Sequence, residues 1–267
     1  MIKKLILTSV LLSLVLGCKK NDDGTSPDLQ GSDCLIKSET IDGKPYRTYE
    51  YDDDQKLFRI VQNETKANNR VEKRFSFDYD QSGRVTAFRE TNLLAPFNNY
   101  QYEMHYTAAG LIDTVRKSQI FNSGPKLLET YILEYDSQRH LTKYKWGDNY
   151  WRYEYDNAKN VTKWFAKYPS VAPIEGLLAE FGNYDGKHNT YAFSTPTQLI
   201  NLVGGGGASA QNPGSFKFYE ASLTPTQTGV VTYKYNEHNL PTEASISVFT
   251  AGGASSTQVY KFAYECL

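Results

Sequence analysis

Aromatic rings are the side chains of this chain best suited to binding. All three tryptophans, Trp146, Trp151 and Trp164, fall in one stretch with Tyr144, Tyr150, Tyr153, Tyr155, Phe165 and Tyr168. A flat ring exposed on a sheet can stack on a sugar face, whereas the same ring turned inward packs a core. Trp151, Tyr153 and Tyr155 share one parity and read as core, while Tyr150 and Phe165 fall at the opposite parity or at a strand end. Trp146, Tyr150, Trp164 and Phe165 are therefore the candidate ligand-binding residues, with a glycan or small ligand as the occupant. Exposure of Trp146, Tyr150 and Trp164 decides between that reading and one of interaction through strand edges or loops.

Other chemistry is sparse. His105, His140, His188 and His238 stand apart, none with a second histidine at metal-ligand spacing. Asp52-Asp53-Asp54 lacks the spacing and the closing glutamate of a calcium-binding loop. The run Gly204–Gly207 is followed by no Lys-Ser or Lys-Thr pair, so it reads as a loop rather than a phosphate cradle. Neither a Gly-x-Ser-x-Gly elbow nor a His-Glu-x-x-His motif occurs. These features predict no metal, no cofactor and no enzymatic activity.

The elements that carry the aromatic stretch come from a repeat. An aromatic or apolar residue, any residue, Tyr and often Asp recur along the chain. The instances are Tyr49-Glu50-Tyr51-Asp52, Phe77-Asp78-Tyr79-Asp80, Met104-His105-Tyr106 and Leu133-Glu134-Tyr135-Asp136. They continue as Tyr153-Glu154-Tyr155-Asp156, Tyr184-Asp185, Tyr233-Lys234-Tyr235-Asn236 and Phe262-Ala263-Tyr264. Steps between successive key tyrosines are 28, 27, 29, 20, 29, 51 and 29, and the step of 51 marks an insertion or a decayed repeat. Alternation before each tyrosine, as in Phe75, Phe77 and Tyr79, has the period of a strand. Asp80-Gln81-Ser82-Gly83 fits a type I turn, and Gly110, Asn239, Gln55, Arg139 and Lys159 occupy the slot of Gly83. A second strand follows each turn, so each unit is a β-hairpin.

The prediction is an all-β fold, a large antiparallel meander of about 14–16 strands curved or closed into a barrel-like sheet. One or two short helices are expected in an insertion near 172–204. Ile174, Leu177, Leu178 and Phe181 have helical spacing, and Thr195-Pro196 opens a second helix ended by Gly204. Composition agrees with a β fold: 21 Tyr and 13 Phe suit pleated, half-buried surfaces. The 29 Lys+Arg and 30 Asp+Glu nearly cancel, which excludes nucleic acid as a partner. Outward strand positions hold Arg74, Asp78, Gln101, Glu103, Lys143 and Lys145, a face that lipid rejects.

Residues 1–17 read as an export signal: Lys3 and Lys4 precede the apolar run Leu5–Leu16, which is too short to span a bilayer. The run ends Val15-Leu16-Gly17-Cys18, which resembles a bacterial lipobox. That resemblance implies cleavage before Cys18 and acylation of its sulfur and its new α-amino group, enough chains to hold the protein stably at a membrane. Residues 18–33 are polar and turn-rich and read as a flexible tether. The acidic pair Asp22-Asp23 resembles the surface-export signal of Bacteroidota lipoproteins. Residues 34–267 are expected to form one repeat-built β domain. Cys34 and Cys266 begin and end it, and in an oxidising compartment they read most simply as a disulfide. Two free thiols, or a nucleophile, are the alternative.

The Tyr-Asp units resemble the YD repeats of large bacterial surface and toxin-encapsulating proteins. The order of the lipobox cysteine, Cys34, the hairpins, Tyr184-Asp185-Gly186-Lys187-His188-Asn189, Tyr235-Asn236-Glu237-His238-Asn239 and Tyr264-Glu265-Cys266 is similar to a group of uncharacterised Bacteroidota lipoproteins. That group carries a domain of unknown function with a porin-like β fold. The resemblance implies a lipid-anchored protein of the outer membrane, displayed at the cell surface or, alternatively, on the periplasmic face. Its expected role is interaction or assembly with an outer-membrane protein complex, or else glycan binding.

Overall fold

The structure, a computed structural model, describes residues 34–63, 71–170, 172–187, 209–220 and 224–266, with residues 189, 197, 199 and 200. Cys18, the export signal and the tether lie outside the described residues. The first eight strands are β1 (Cys34–Ile41), β2 (Lys44–Tyr51), β3 (Leu57–Asn63), β4 (Val71–Tyr79), β5 (Val85–Asn92), β6 (Tyr100–Tyr106), β7 (Ile112–Phe121) and β8 (Gly124–Tyr135). The other eight are β9 (Leu141–Trp146), β10 (Asn149–Tyr155), β11 (Val161–Tyr168), β12 (Ala172–Gly182), β13 (Ser215–Tyr219), β14 (Pro225–Tyr235), β15 (Pro241–Thr250) and β16 (Ser255–Cys266). Each strand pairs with its neighbours in sequence, and β16 returns to β1, so the hydrogen-bonded order is that of a closed barrel.

The hairpin repeat has one physical design. Asp52, Asp80, Asp136 and Asp156 each use Oδ1 to accept the backbone N–H groups two and four residues on, at 2.8–3.1 Å. Asn236 does the same for His238 and Leu240. Three residues after each of these, the chain turns through positive φ: Gln55 (60°), Gly83 (78°), Arg139 (70°), Lys159 (67°) and Asn239 (57°). The strand register slips just before the key tyrosine, between Glu50 and Tyr51, Asp78 and Tyr79, His105 and Tyr106, Glu134 and Tyr135, and Lys234 and Tyr235. This bulge swings the tyrosine back over the previous hairpin. There its hydroxyl donates to a main-chain carbonyl: Tyr79 to Leu57, Tyr106 to Val85, Tyr135 to Ile112, Tyr184 to Val161 and Tyr264 to Pro241. The recurrent tyrosine is thus a peg between consecutive hairpins.

The step of 51 is an insertion. In the regular turns the Asp N–H donates to the carbonyl four residues on, as from Asp80 to Arg84; Asp185 instead donates to Asn212. Separation of 27 residues in place of 4 adds 23, and removing them turns the step of 51 into 28. The inserted chain docks on the β10–β11 turn, where the Val161 N–H donates to Ser209 Oγ and Asn160 exchanges hydrogen bonds with Gln211.

The chain divides into two compact units. One holds Lys37–Arg152 and Ala166–Glu175, and its buried face carries Tyr49, Ile60, Phe75, Phe77, Phe88, Tyr102, Val115, Tyr131, Leu133 and Tyr144. The other holds the described residues of 34–36, 153–165 and 176–266, and buries Tyr153, Trp164, Ala179, Phe181, Phe216, Phe218, Ile246, Tyr260 and Phe262. In this second unit Cys34 and Cys266 form the expected disulfide, with Cα atoms 3.9 Å apart.

The helix expected from Ile174 to Phe181 is absent. That segment is β12, paired with β13 through Ala179 opposite Phe218 and Phe181 opposite Phe216. An apolar run satisfies both periods, and here the available strand partner decides: Ala179 and Phe181 are buried while Ile174 is exposed. The second expected helix, from Thr195, lies outside the described residues except at Thr197, Leu199 and Ile200; Thr197 and Leu199 are buried. Apart from helical backbone at Thr197, Leu199 and Ile200, the elements of the described residues are strands and one 3-10 turn at Pro96–Asn98.

Candidate ligand-binding site

The tryptophan stretch is organised by a two-residue turn. Gly147 and Asp148 join β9 to β10, with Gly147 at φ 53°, and this places Tyr144 opposite Trp151 and Trp146 opposite Asn149. Tyr131 of β8 lies opposite Trp146 on the other side. Alternation therefore puts Tyr131, Tyr144, Trp146 and Trp151 on the same, buried face of their unit. Tyr144 is sandwiched, stacked on Tyr131 (centroids 4.9 Å) and on Trp151 (5.4 Å). Trp151 donates from Nε1 to the Tyr168 hydroxyl at 2.7 Å. Trp146 is half-buried and stands across this stack, meeting Trp151, Tyr168 and Tyr131 edge-on at 4.7, 6.0 and 6.4 Å. None of those contacts covers its ring face to face.

The same face continues into charge. In register across β1 to β5 run Glu39, Arg47, Gln62, Lys73 and Asn92. Beside this row, Lys73 Nζ bonds Glu90 at 2.7 Å, Tyr102 donates to Glu90 at 3.2 Å, and Arg47 Nε donates to Gln62 at 3.0 Å. Lys117 lies opposite both Tyr102 and Glu129, with its Nζ 4.0 Å from Glu129 and 4.6 Å from the Tyr100 centroid. The Tyr49 hydroxyl donates to buried Glu39, and the Tyr131 hydroxyl to Glu129. Burial, then the neighbouring carboxylates, pushes the Tyr49, Tyr102 and Tyr131 hydroxyls upward in pKa, so all three remain donors.

No protein-family model matches the chain, and no curated protein matches it. Among solved structures, a porin-like protein from Bacteroides uniformis aligns with a TM-score of 0.51 at 14% identity, covering 90% of this chain and 98% of that one. The fold is that of a porin-like protein. A second porin-like protein, from Bacteroides vulgatus, aligns with a TM-score of 0.42 at 11% identity over 87% of this chain and 99% of that one.

The structure separates the four expected binding residues. Trp146 faces the buried side of the sheet at the edge of the charged rows. Tyr150, one residue from Trp151, faces the exposed side, where Lys143 and Lys167 stand 4.5 and 5.9 Å from its ring centroid. On that side Arg152 grips Glu175 through Nε and Nη2 at 2.6–3.1 Å, which holds the Glu175 carboxyl below its ordinary pKa. Trp164 belongs to the other unit, is 3% exposed and packs 6.2 Å from Tyr153; it is core, not a binding ring. Phe165 is half-buried in that unit at the parity opposite Trp164.

Trp151 lies on the buried face, as its parity predicts. The charged rows beside it are not among the residues the sequence singles out. Their signal was present. Inward positions fall two, four and six residues before Tyr51, Tyr79 and Tyr135, and among them stand Arg47, Lys73 and Glu129. The histidines are accounted for locally: His105 Nδ1 meets Asp113 at 2.7 Å and His140 Nδ1 meets Asp136 at 2.9 Å; His188 lies outside the described residues. His238 comes within 4.8 Å of the Cys34 and Cys266 sulfurs, but those sulfurs are bonded to each other and offer no thiolate.

Proposed function

We propose that this protein is a lipid-anchored, non-catalytic protein of the outer membrane that works by binding, at the face shared by Trp146 and the charged rows. The observation that carries this reading is Trp146 itself. It is a half-buried indole held by edge and tilted ring contacts with no stacked partner, beside hydrogen-bonding groups that pure core packing does not require. The anchor rests on the lipobox-like sequence ending at Cys18.

A tethered rather than bilayer-spanning sheet is supported by its exposed face. Arg74, Asp78, Arg89, Glu103 and Arg116 are exposed in one unit, and Lys163, Lys217, Lys234 and Lys261 in the other. Each Lys or Arg turned to lipid at mid-bilayer would cost about 2–4 kcal/mol. The half-buried outward cluster of Tyr150, Lys143, Lys167 and the Arg152–Glu175 pair favours a second reading, contact with an outer-membrane protein, because Tyr and Arg dominate interface energetics.

Fractionation with affinity purification tests both parts. Wild type should partition with the outer membrane and carry acyl chains on Cys18, and Cys18→Ser should become soluble in the envelope. Trp146→Ala, still anchored, should lose material that co-purifies with wild type. A Cys18→Ser variant that stays with the membrane, or a Trp146→Ala variant with an unchanged co-purifying set, would contradict the corresponding part.

A further inference from the structure

Resting on the binding reading above, we infer that the site beside Trp146 takes a neutral carbohydrate. The first ground is charge balance. Arg47, Lys73 and Lys117 face Glu39, Glu90 and Glu129 on one sheet face within one unit, and Lys126, opposite Gln119 at its rim, is the one further cation, so the charges nearly cancel. A phosphate or uronate would meet nearly as many carboxylates as cations, and a cationic ligand would meet the reverse. Neither gains the surplus of opposite charge that charged-ligand sites supply.

The second ground is hydrogen-bonding type. Ammonium, guanidinium and carboxylate groups alternate with Gln62, Asn92, Tyr100 and Gln119 along adjoining register rows. The face therefore presents donors and acceptors side by side. Sugar hydroxyls donate and accept at once, which matches such a face; a purely apolar ligand would strip water from these groups and return nothing. Paired charges on a buried face are also a poor way to gain stability, since apolar side chains would serve folding as well or better.

The third ground is the indole. A pyranose has an apolar C–H face beside its hydroxyls, and half-buried Trp146 makes only edge and tilted ring contacts, none of them stacked, among the described residues. Tyr131 joins the two parts, because it lies opposite Trp146 and two residues along the same face from Glu129. The Cα atoms of Trp146 and Glu129 are thus about 8 Å apart, one strand across and two residues along. A short oligosaccharide spans both.

Calorimetric titration of the mature chain tests the inference. The probes are neutral gluco-, manno- and galacto-oligosaccharides, with oligogalacturonate and chitosan oligomers as the anionic and cationic comparisons. A neutral oligosaccharide should bind best. Trp146→Ala should weaken it by about tenfold or more, and Trp146→Phe by less. Glu90→Gln should weaken it too, whereas Lys261→Ala on the exposed face of the other unit should not. Circular dichroism of each variant verifies the fold, and the Phe variant keeps the test valid if the Ala variant unfolds. Absence of neutral-sugar binding, preference for a charged oligomer, or equal affinity in both Trp146 variants and wild type would overturn the inference. If no neutral sugar binds but Trp146→Ala still loses co-purifying envelope material, only the carbohydrate class fails and the binding reading stands.

Discussion

The Tyr106 hydroxyl donates to the Val85 carbonyl across 2.7 Å, joining the end of one hairpin's first strand to the start of the previous hairpin's second strand. Burial pushes this hydroxyl up to about 12, so it remains a donor throughout the working pH range. Tyr106→Phe should cost about 1 kcal/mol, the net value of one such bond, and more if the carbonyl is left dry. Urea unfolding at neutral pH measures it. A null effect here and in the equivalent Tyr135→Phe would mean that the tyrosine recurs for its ring alone.

The turn carboxylates predict an acid dependence. The Ser82 hydroxyl, then the Arg84 N–H and guanidinium, hold the Asp80 carboxyl well below the usual carboxylate range. A depressed folded-state pKa contributes stability above the unfolded pKa and loses it as pH falls through and below that value. Thermal stability should therefore drop on acidification below about pH 4. Asn236 fills the same slot with an amide. Asp80→Asn should accordingly fold normally near neutrality and show a shallower acid slope; an unchanged slope would contradict the assignment.

Gly229 is fixed by a ring. It lies opposite Phe216, and a Cβ there would sit 2.0 Å from Phe216 Cζ. Gly229→Ala should destabilise the second unit by about 1–3 kcal/mol. Adding Phe216→Leu should recover part of that loss, a non-additivity that a double-mutant cycle reads directly.

The Cys34–Cys266 bond closes nearly the whole described chain. Non-reduced wild type should have a mass lighter by two hydrogens than the reduced form. Cys34→Ser with Cys266→Ser should lower unfolding stability by up to about 5 kcal/mol, the chain-entropy value for so long a loop. Equal stability with and without reductant would show that strand pairing alone secures the ends.

Local chemistry made the hairpins legible. Asp80 and Gly83 name a turn by themselves, and the tyrosine spacing carries that turn to Asp136 and Asn236, whatever residue fills the positive-φ slot. Arg139 and Lys159 take that slot because the turn geometry outweighs their modest preference against it. The ends of the chain were legible too, since two cysteines bracket the domain. The candidate site was only half legible. Trp146 and Trp164 look alike in sequence, yet one borders the charged rows and the other lies within the core. Parity fixes which side of a strand a residue faces, but not how deep that side lies. Spacing from the tyrosines gives Arg47 and Lys73 their side of the strand, but only the pairing of five strands lines them up with Glu39 in one row. At Ile174–Phe181 the pattern fitted both periods, and only the pairing with β13 decided between them.

The central claim, binding at the Trp146 face, is tested most directly by site-specific photo-crosslinking in cells that express the lipidated chain. A benzophenone amino acid at position 146 should yield a discrete adduct, and the same probe at position 261 on the exposed face should not. Adducts at 261 with none at 146 would contradict the claim.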